Sequence, residues 1–131
     1  MKAELENKLV RKYPKIFAQK DLPPTESLMC FGFECGDGWY DIIDSLCSCI
    51  QAHVSANGKE QVEAIQVKEK FGTLCFYIHG GDDLVYGMIT LAEHISGRTC
   101  EQCGKPGRLR GKGWLYTMCT DCWEKHQEGR K

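Results

Sequence analysis

The chain has no hydrophobic run near the roughly 20 apolar residues that a membrane-spanning helix needs. Its first residues, MKAELENKLVRKYPKIF, are charged and amphipathic, and they lack the apolar core and small-residue cleavage site of a signal peptide. A serine triad, a nucleotide-binding glycine loop and an HExxH motif are also missing. The lack of a membrane span and of a signal peptide predicts a cytoplasmic protein without membrane contact. The lack of the three motifs means that the sequence carries none of these common enzyme signatures.

The chain also lacks a strong net charge, since the formal value for its 131 residues is -1. The two signs are unevenly distributed, however: residues 1–95 hold 9 Lys and Arg against 14 Asp and Glu, and residues 96–131 hold 8 against 4. With 42% hydrophobic residues the chain can bury a core, and its length fits one domain with a small appended module. The sequence therefore predicts an acidic body joined to a basic tail.

Hydrophobic periodicity predicts an α+β fold in which a small antiparallel sheet packs with helices. The predicted elements are a short helix ending at Pro14, a strand at 28–35, a turn at 36–38 with Asp37 as helix N-cap, a helix at 38–55, a β-hairpin at 63–81 and a helix at 82–96. We expect residues 1–97 to form this body. Residues 98–131 should form a cysteine module that packs on the body as one structural unit.

Four of the nine cysteines form two pairs, Cys100 with Cys103 and Cys119 with Cys122, and fifteen residues separate the pairs. Two residues between ligands let both sulfurs point at one tetrahedral ion about 2.3 Å away, and this spacing is typical of structural zinc sites. We expect one Zn²⁺ held by all four thiolates. Because no coordination position stays open, the ion should stabilise the module rather than catalyse a reaction.

The order of elements around these cysteines is a knuckle, a hairpin, and a helix whose first turn supplies the last two ligands. This order resembles a treble-clef zinc finger. A thioredoxin-like redox pair at "CTDC" is the alternative, but it leaves the other CxxC unexplained and no βαβ unit precedes it. Two disulfides are disfavoured in a reducing compartment.

A second metal site is conceivable in the body. Cys30 and Cys35 precede a predicted helix that carries Cys49 and His53 one turn apart on one face. These four residues would give a site of three cysteines and one histidine. The alternative is that the cysteines are small buried hydrophobes, as is common.

The segment between the zinc ligands combines cations with an aromatic side chain, a pattern that suits phosphate contacts and base stacking. The candidate contact residues for nucleic acid or a partner protein are Lys105, Arg108, Arg110, Lys112 and Trp114. The alternative is a solvated basic hairpin on which Trp114 and Tyr116 only pack against the terminal helix. The sequence does not separate nucleic acid from an acidic protein partner.

A possible second partner site lies at "GDGWYDIID", where two glycines could leave Trp39 partly exposed beside the carboxylates of Asp37 and Asp41. Exposed aromatic residues in such a setting are good interface anchors. The alternative is that the carboxylates only cap the following helix, whose dipole favours negative charge at its start.

The sequence also permits an enzymatic interpretation. The segment "AIQVKEK" resembles the metal-binding strand of restriction-type nucleases, with Gln66 and Lys68 as that element and Glu34, Asp37 or Asp41 upstream. Glutamine is a poor replacement for a metal-binding carboxylate, and the partner strand lacks a supporting acid. We therefore expect a binding protein rather than a Mg²⁺-dependent nuclease.

Four distinctive segments cover much of the chain: "LVRKYPKIFA" (9–18), "CFGFECGDGWYDIIDSLC" (30–47), "QVKEKFGTLCFYIHGGDD" (66–83) and "CEQCGKPGRLRGKGW" (100–114). In these segments the chain resembles a family of small bacteriophage and prophage proteins without an established activity. The resemblance implies a phage accessory protein in the host cytosol that binds nucleic acid or a host protein that handles it. The alternative is an inhibitor of a host enzyme or defence system that acts through the acidic body, with zinc purely structural.

Overall fold

The fold was determined as a computed structural model, which describes residues 1–129. Arg130 and Lys131, the end of the predicted cysteine module, lie outside the described residues. The α+β class is confirmed. The described elements are helix α1 (Ala3–Lys12), strand β1 (Phe33–Glu34), helix α2 (Tyr40–Ala56), strands β2 (Glu63–Lys70) and β3 (Thr73–His79), helix α3 (Asp83–Ser96), strands β4 (Arg108–Arg110) and β5 (Tyr116–Met118), and helix α4 (Thr120–Glu128).

The main sheet has the order β1-β2-β3 and is mixed. Strands β2 and β3 form the predicted antiparallel hairpin, but β1 runs parallel to β2, with Phe33 opposite Val67. The prediction of an antiparallel sheet is therefore confirmed for β2 and β3 and wrong for β1. The parallel pairing follows from the connection, because the chain passes through α2 before it returns as β2.

The strand predicted at 28–35 is shorter than expected. Met29–Phe31 form a turn of 3-10 helix, and Gly32 follows with a φ of 73° that a residue with a side chain rarely adopts. Only Phe33 and Glu34 then pair with β2. The apolar run at the start of this segment reflects burial of a turn, since Met29 is buried in the core.

Helices α2 and α3 lie together and pack with the sheet over one core. Its largest fully buried side chains include Trp39, Phe17, Phe33, Ile43 and Ile50. None of the helices within residues 1–129 is both long and apolar enough to cross a membrane.

Helix α1 is attached to α2 through Asp44. The Tyr13 hydroxyl donates to this carboxylate at 2.5 Å, and the Lys12 ammonium lies 2.9 Å from it. The hydrogen bond from Tyr13, supported by Lys12, lowers the pKa of Asp44. Helix α3 begins as predicted, because the Asp82 carboxylate accepts the Val85 N–H at 3.0 Å.

The turn between β2 and β3 consists of Phe71 and Gly72, with φ values of 53° and 85°. A two-residue hairpin turn of this kind needs positive φ at both central positions, and Asn-Gly is its preferred sequence. Phe71 is the non-glycine residue with positive φ among residues 1–129. Phe71 is therefore an unusual residue for the first central position of this turn, where asparagine is preferred.

The cysteine module contacts the body at two places. The Trp39 indole N–H donates to the Thr99 carbonyl at 2.9 Å, close to the first cysteine pair. The buried Thr117 hydroxyl, on β5, donates to the Gly72 carbonyl at 2.5 Å. These bonds join the β4–β5 hairpin to the tip of the β2–β3 hairpin and join the first cysteine pair to the start of α2.

Candidate metal centre and the basic hairpin

The four predicted ligands come together. The sulfur atoms of Cys100, Cys103, Cys119 and Cys122 all lie within 4.8 Å of one another, and the sulfurs of Cys103 and Cys119 are 3.7 Å apart. Four sulfurs placed about 2.3 Å from one ion at the corners of a tetrahedron would be about 3.8 Å apart. The cluster can therefore hold a metal ion, and the prediction that these cysteines form one site is confirmed.

The first cysteine pair is shaped by a tight backbone turn. The Cys100 N–H donates to the Lys105 carbonyl at 2.7 Å, and the Gly104 N–H donates back to the Cys100 carbonyl at 2.9 Å. Gly104 has a φ of 81°, which a residue with a side chain would adopt only under strain. The glycine after the second cysteine thus lets the chain reverse and bring both sulfurs to one side.

The second pair sits at the start of α4, where Cys119 is the N-cap residue. Its sulfur accepts the Cys122 N–H at 3.4 Å, and this bond lowers the pKa of Cys119 to about 7. Burial raises the pKa of Cys122 to about 12. A metal ligand must be deprotonated, so an ion bound at this site would hold all four cysteines as thiolates.

The "GDG" turn of the body lies directly against the knuckle. The Gly38 N–H donates to the Glu101 carbonyl at 2.7 Å, and the Gly36 N–H donates to the Glu101 carboxylate at 2.9 Å. A Cβ at Gly38 would overlap the Cys100 carbonyl oxygen and would lie 2.6 Å from the Gly104 nitrogen. The two glycines are thus required for close approach of two backbones. Sequence reasoning missed this role, although the pair of glycines around Asp37 was its visible signal.

We expect Gly38→Ala to lower the free energy of unfolding by about 1–3 kcal/mol, because the new methyl group must push the knuckle away. Gly87→Ala on α3 is the matched control, since a Cβ there meets nothing within 4 Å and alanine favours the helix by up to about 1 kcal/mol. Urea denaturation measures both. A Gly38→Ala protein as stable as the wild type would contradict the close contact.

The alternative of a second metal site in the body is wrong. Within residues 1–129, the groups that could hold a metal ion form one cluster, the four cysteines of the module. The Cys30 thiol faces the Ser27 carbonyl, Cys35 is buried in the core, and Cys49 lines a groove between α2 and α3. The fourth proposed ligand, His53, is bound to Asp82, with 2.8 Å between its Nε2 and a carboxylate oxygen. These four residues therefore do not form one site in the fold, although their spacing in the sequence is compatible with one.

The partner site predicted around Trp39 is also wrong. The Trp39 side chain is 0% exposed, because the flanking glycines admit the knuckle over it instead of leaving it open. Asp37 does not cap α2; its carboxylate accepts the Lys2 N–H at 2.8 Å. Asp41 is exposed and lines the groove between α2 and α3. The three residues therefore do not form one surface.

The cations of the basic hairpin, the segment between the two cysteine pairs, are of two kinds: some are exposed to solvent and one is hydrogen-bonded within the module. Lys105, Arg108 and Lys112 are exposed, and no ion pair within residues 1–129 includes them or Arg110. Arg110 is half-buried, and its guanidinium donates to the Met118 carbonyl and to the Thr120 hydroxyl, both at 3.2 Å. Arg110 therefore holds the hairpin to the start of α4, whereas the other three cations face solvent.

The two aromatic residues of this hairpin behave differently. Tyr116 packs on α4, with its ring centroid 6.1 Å from that of Trp123 and 4.6 Å from that of His126. Trp114 is 71% exposed, so the alternative that it packs on the terminal helix is wrong. An exposed indole beside unpaired cations is free to contact a ligand.

The residues of the nuclease alternative are only partly assembled. Glu34 lies opposite Lys68 in the parallel register, and the Gln66 amide reaches the Glu34 carboxylate at 3.5 Å. Asp37 and Asp41 lie elsewhere, as described above. In the described part of the chain no cluster of three metal-ligating side chains includes Glu34, so its single carboxylate stands beside a glutamine and a lysine.

Comparisons with known proteins give no match: no family model, no curated protein and no solved structure matches the chain. The resemblance to bacteriophage and prophage proteins therefore stays a prediction.

Proposed function

We propose that the chain is a zinc-binding protein whose four-cysteine module presents a basic hairpin to nucleic acid. The observation that carries the proposal is the exposure of Lys105 in the knuckle and of Arg108, Lys112 and Trp114 in the β4–β5 hairpin, which lies between the two cysteine pairs. Cations contact phosphates and an exposed indole stacks on bases, so this combination suits a polynucleotide.

The metal in this proposal is one structural Zn²⁺. Cys100, Cys103, Cys119 and Cys122 supply four sulfur ligands within 4.8 Å of one another, and zinc accepts four thiolates in a tetrahedron. We assign the module to the treble-clef type, because a knuckle at Cys100, the β4–β5 hairpin and the start of α4 follow each other in that order. The ion would fix the base of the hairpin and leave its tip free to bind.

The resemblance noted in the sequence suggests a phage accessory protein that acts in the host cytosol, and we propose that setting for this binding activity. The host partner would then be a polynucleotide or a protein bound to one. Burial of Trp39 removes one candidate anchor from the acidic body, and we therefore favour binding through the hairpin over inhibition through the body.

The double variant Arg108→Glu/Lys112→Glu tests the role of the hairpin. We expect it to weaken binding to labelled DNA and RNA and to reduce the slope of log affinity against log salt by about 1 per lost phosphate contact. Arg110 is left unchanged, because its bonds to Met118 and Thr120 hold the hairpin together. Fluorescence anisotropy over a salt series measures the affinity.

The matched control is Arg11→Glu/Lys15→Glu, which makes the same change of charge at two exposed positions near the end of α1. A general electrostatic effect would weaken both double variants equally. The hairpin is the contact surface if only the first variant loses affinity. Absence of binding by the wild-type protein to any polynucleotide at low salt would disprove the proposed function.

A further inference from the structure

A cleft of about 200 Å³ lies where the tips of the two hairpins meet. Its walls come from the end of β2, the Phe71–Gly72 turn and the loop between β4 and β5, namely Glu69, Lys70, Phe71, Gly113, Trp114 and Leu115. Two of its aromatic side chains are open to solvent, since Phe71 is 68% exposed and Trp114 is 71% exposed. No local signal in the sequence associates Phe71 with the basic hairpin.

Phe71 has a backbone conformation that is unfavourable for a bulky side chain. Its φ of 53° lies in the left-handed region, where a bulky residue is an outlier and where Asn or Gly is preferred in a turn of this type. Burial of the ring does not offset this strain, because most of the ring faces solvent. Strained residues of this kind cluster at binding sites, so the exposed ring points to a role in contact with a ligand.

Hydrogen bonds and close packing join the two hairpins beside the cleft. The Thr117 hydroxyl donates to the Gly72 carbonyl at 2.5 Å, and the Glu69 carboxylate accepts the Gly72 N–H at 2.7 Å. A Cβ at Gly72 would lie 2.6 Å from the Leu109 side chain, so the two hairpins are in close contact at this point. The rings of Phe71 and Trp114 are therefore carried by two hairpins that are bonded to each other.

The charges around the cleft favour an anionic ligand. Lys70 is a wall residue whose ammonium lies 5.7 Å from the centre of the Phe71 ring, and Lys112 directly precedes the wall residue Gly113. In the part of the chain that the structure describes, no ion pair includes either lysine. Glu69 is the acidic wall residue, and its carboxylate accepts the Gly72 N–H. Cations beside exposed rings suit a chain of phosphates with accessible bases.

We propose that this cleft binds single-stranded nucleic acid by stacking bases on Phe71 and Trp114, while Lys70 and Lys112 contact the phosphates. A duplex keeps the faces of its bases inside its own stack, so only a single strand offers them to the rings. The inference rests on the proposed function and specifies its ligand. DNA and RNA single strands share the chemistry that the cleft would recognise.

The test measures fluorescence anisotropy of a labelled oligothymidylate, the matching oligouridylate and a DNA duplex of equal length. Phe71→Asn and Trp114→Ala should each weaken single-strand binding by roughly 5- to 150-fold, the range for loss of one stacked base. Asparagine suits the turn, so Phe71→Asn should keep or raise the melting temperature while affinity falls. Phe31→Ala is the control, since Phe31 is 59% exposed on the turn before β1.

The outcomes separate the two proposals. If the wild-type protein binds and both variants bind equally well, the stacking cleft is disproved and the proposed function stands. Equal affinity for the duplex would also overturn the cleft. No binding to any of the three probes at low salt would remove the proposed function and this inference together. Loss of affinity in both variants but not in Phe31→Ala supports the cleft, and comparison of the two single-stranded probes identifies DNA or RNA as the better ligand.

Discussion

Protein purified without added metal should contain about one zinc ion per chain, and Cys100→Ser should abolish this metal. Cys100 is buried and its backbone forms the knuckle, so the remaining three sulfurs cannot complete a tetrahedral site around the ion. Zinc binding to small four-ligand modules supplies about 10–16 kcal/mol near neutral pH, and this free energy is coupled to folding. We therefore expect residues 98–129 to lose their structure in the variant.

Elemental analysis measures the metal, and limited proteolysis or NMR spectroscopy reports whether the module is folded. Cys49→Ser is the matched control, because Cys49 is exposed and lies outside the four-sulfur cluster. This control should keep one zinc ion and a wild-type melting temperature. A module that stays fully folded after metal removal would disprove the structural role of the ion.

Trp39→Ala should lower the free energy of unfolding by about 3–5 kcal/mol, the usual cost of removing a large aromatic side chain from a core. The Trp39 side chain is fully buried, and the variant would also leave the Thr99 carbonyl without its indole donor. Trp114→Ala is the matched control. Because Trp114 is 71% exposed, its removal should change stability by less than about 0.5 kcal/mol.

Denaturant unfolding of the Trp39→Ala and Trp114→Ala variants measures both changes in stability and shows whether Trp39 is a core residue. Trp39→Phe adds a finer measurement, since it keeps an aromatic ring in the core but removes the N–H that reaches Thr99. We expect it to be less damaging than Trp39→Ala. A Trp39→Ala protein with a wild-type melting temperature would contradict the buried position and would restore the surface site that the sequence suggested.

The parts of the fold that the sequence predicted correctly carry local signals. The β2–β3 hairpin shows alternating apolar residues, and α3 starts at Asp82, whose carboxylate caps the helix. The metal site was predictable because ligand spacing is itself a local property: two residues within each pair suffice to place two sulfurs on one ion.

The predictions that failed depended on contacts between distant segments. Glycines 36 and 38 suggest an exposed Trp39, but the segment that covers it lies some sixty residues later in the chain. Cys49 and His53 share a helix face, yet His53 is bound to Asp82, a partner that no helical spacing reveals. The apolar run at 28–35 marks burial but does not by itself distinguish a turn from a strand.

The contact between the "GDG" turn and the knuckle has a consequence for the order of folding during synthesis. Gly36 and Glu101, which are bonded to each other, are 65 residues apart, so the turn leaves the ribosome well before its partner exists. Until then, Trp39 lacks both its cover and its hydrogen-bond acceptor at Thr99. In the nascent body, the patch around Trp39 near the start of α2 is therefore exposed and lacks its final contacts. Capture of the proposed zinc ion, late in translation, would complete this patch as well as the module.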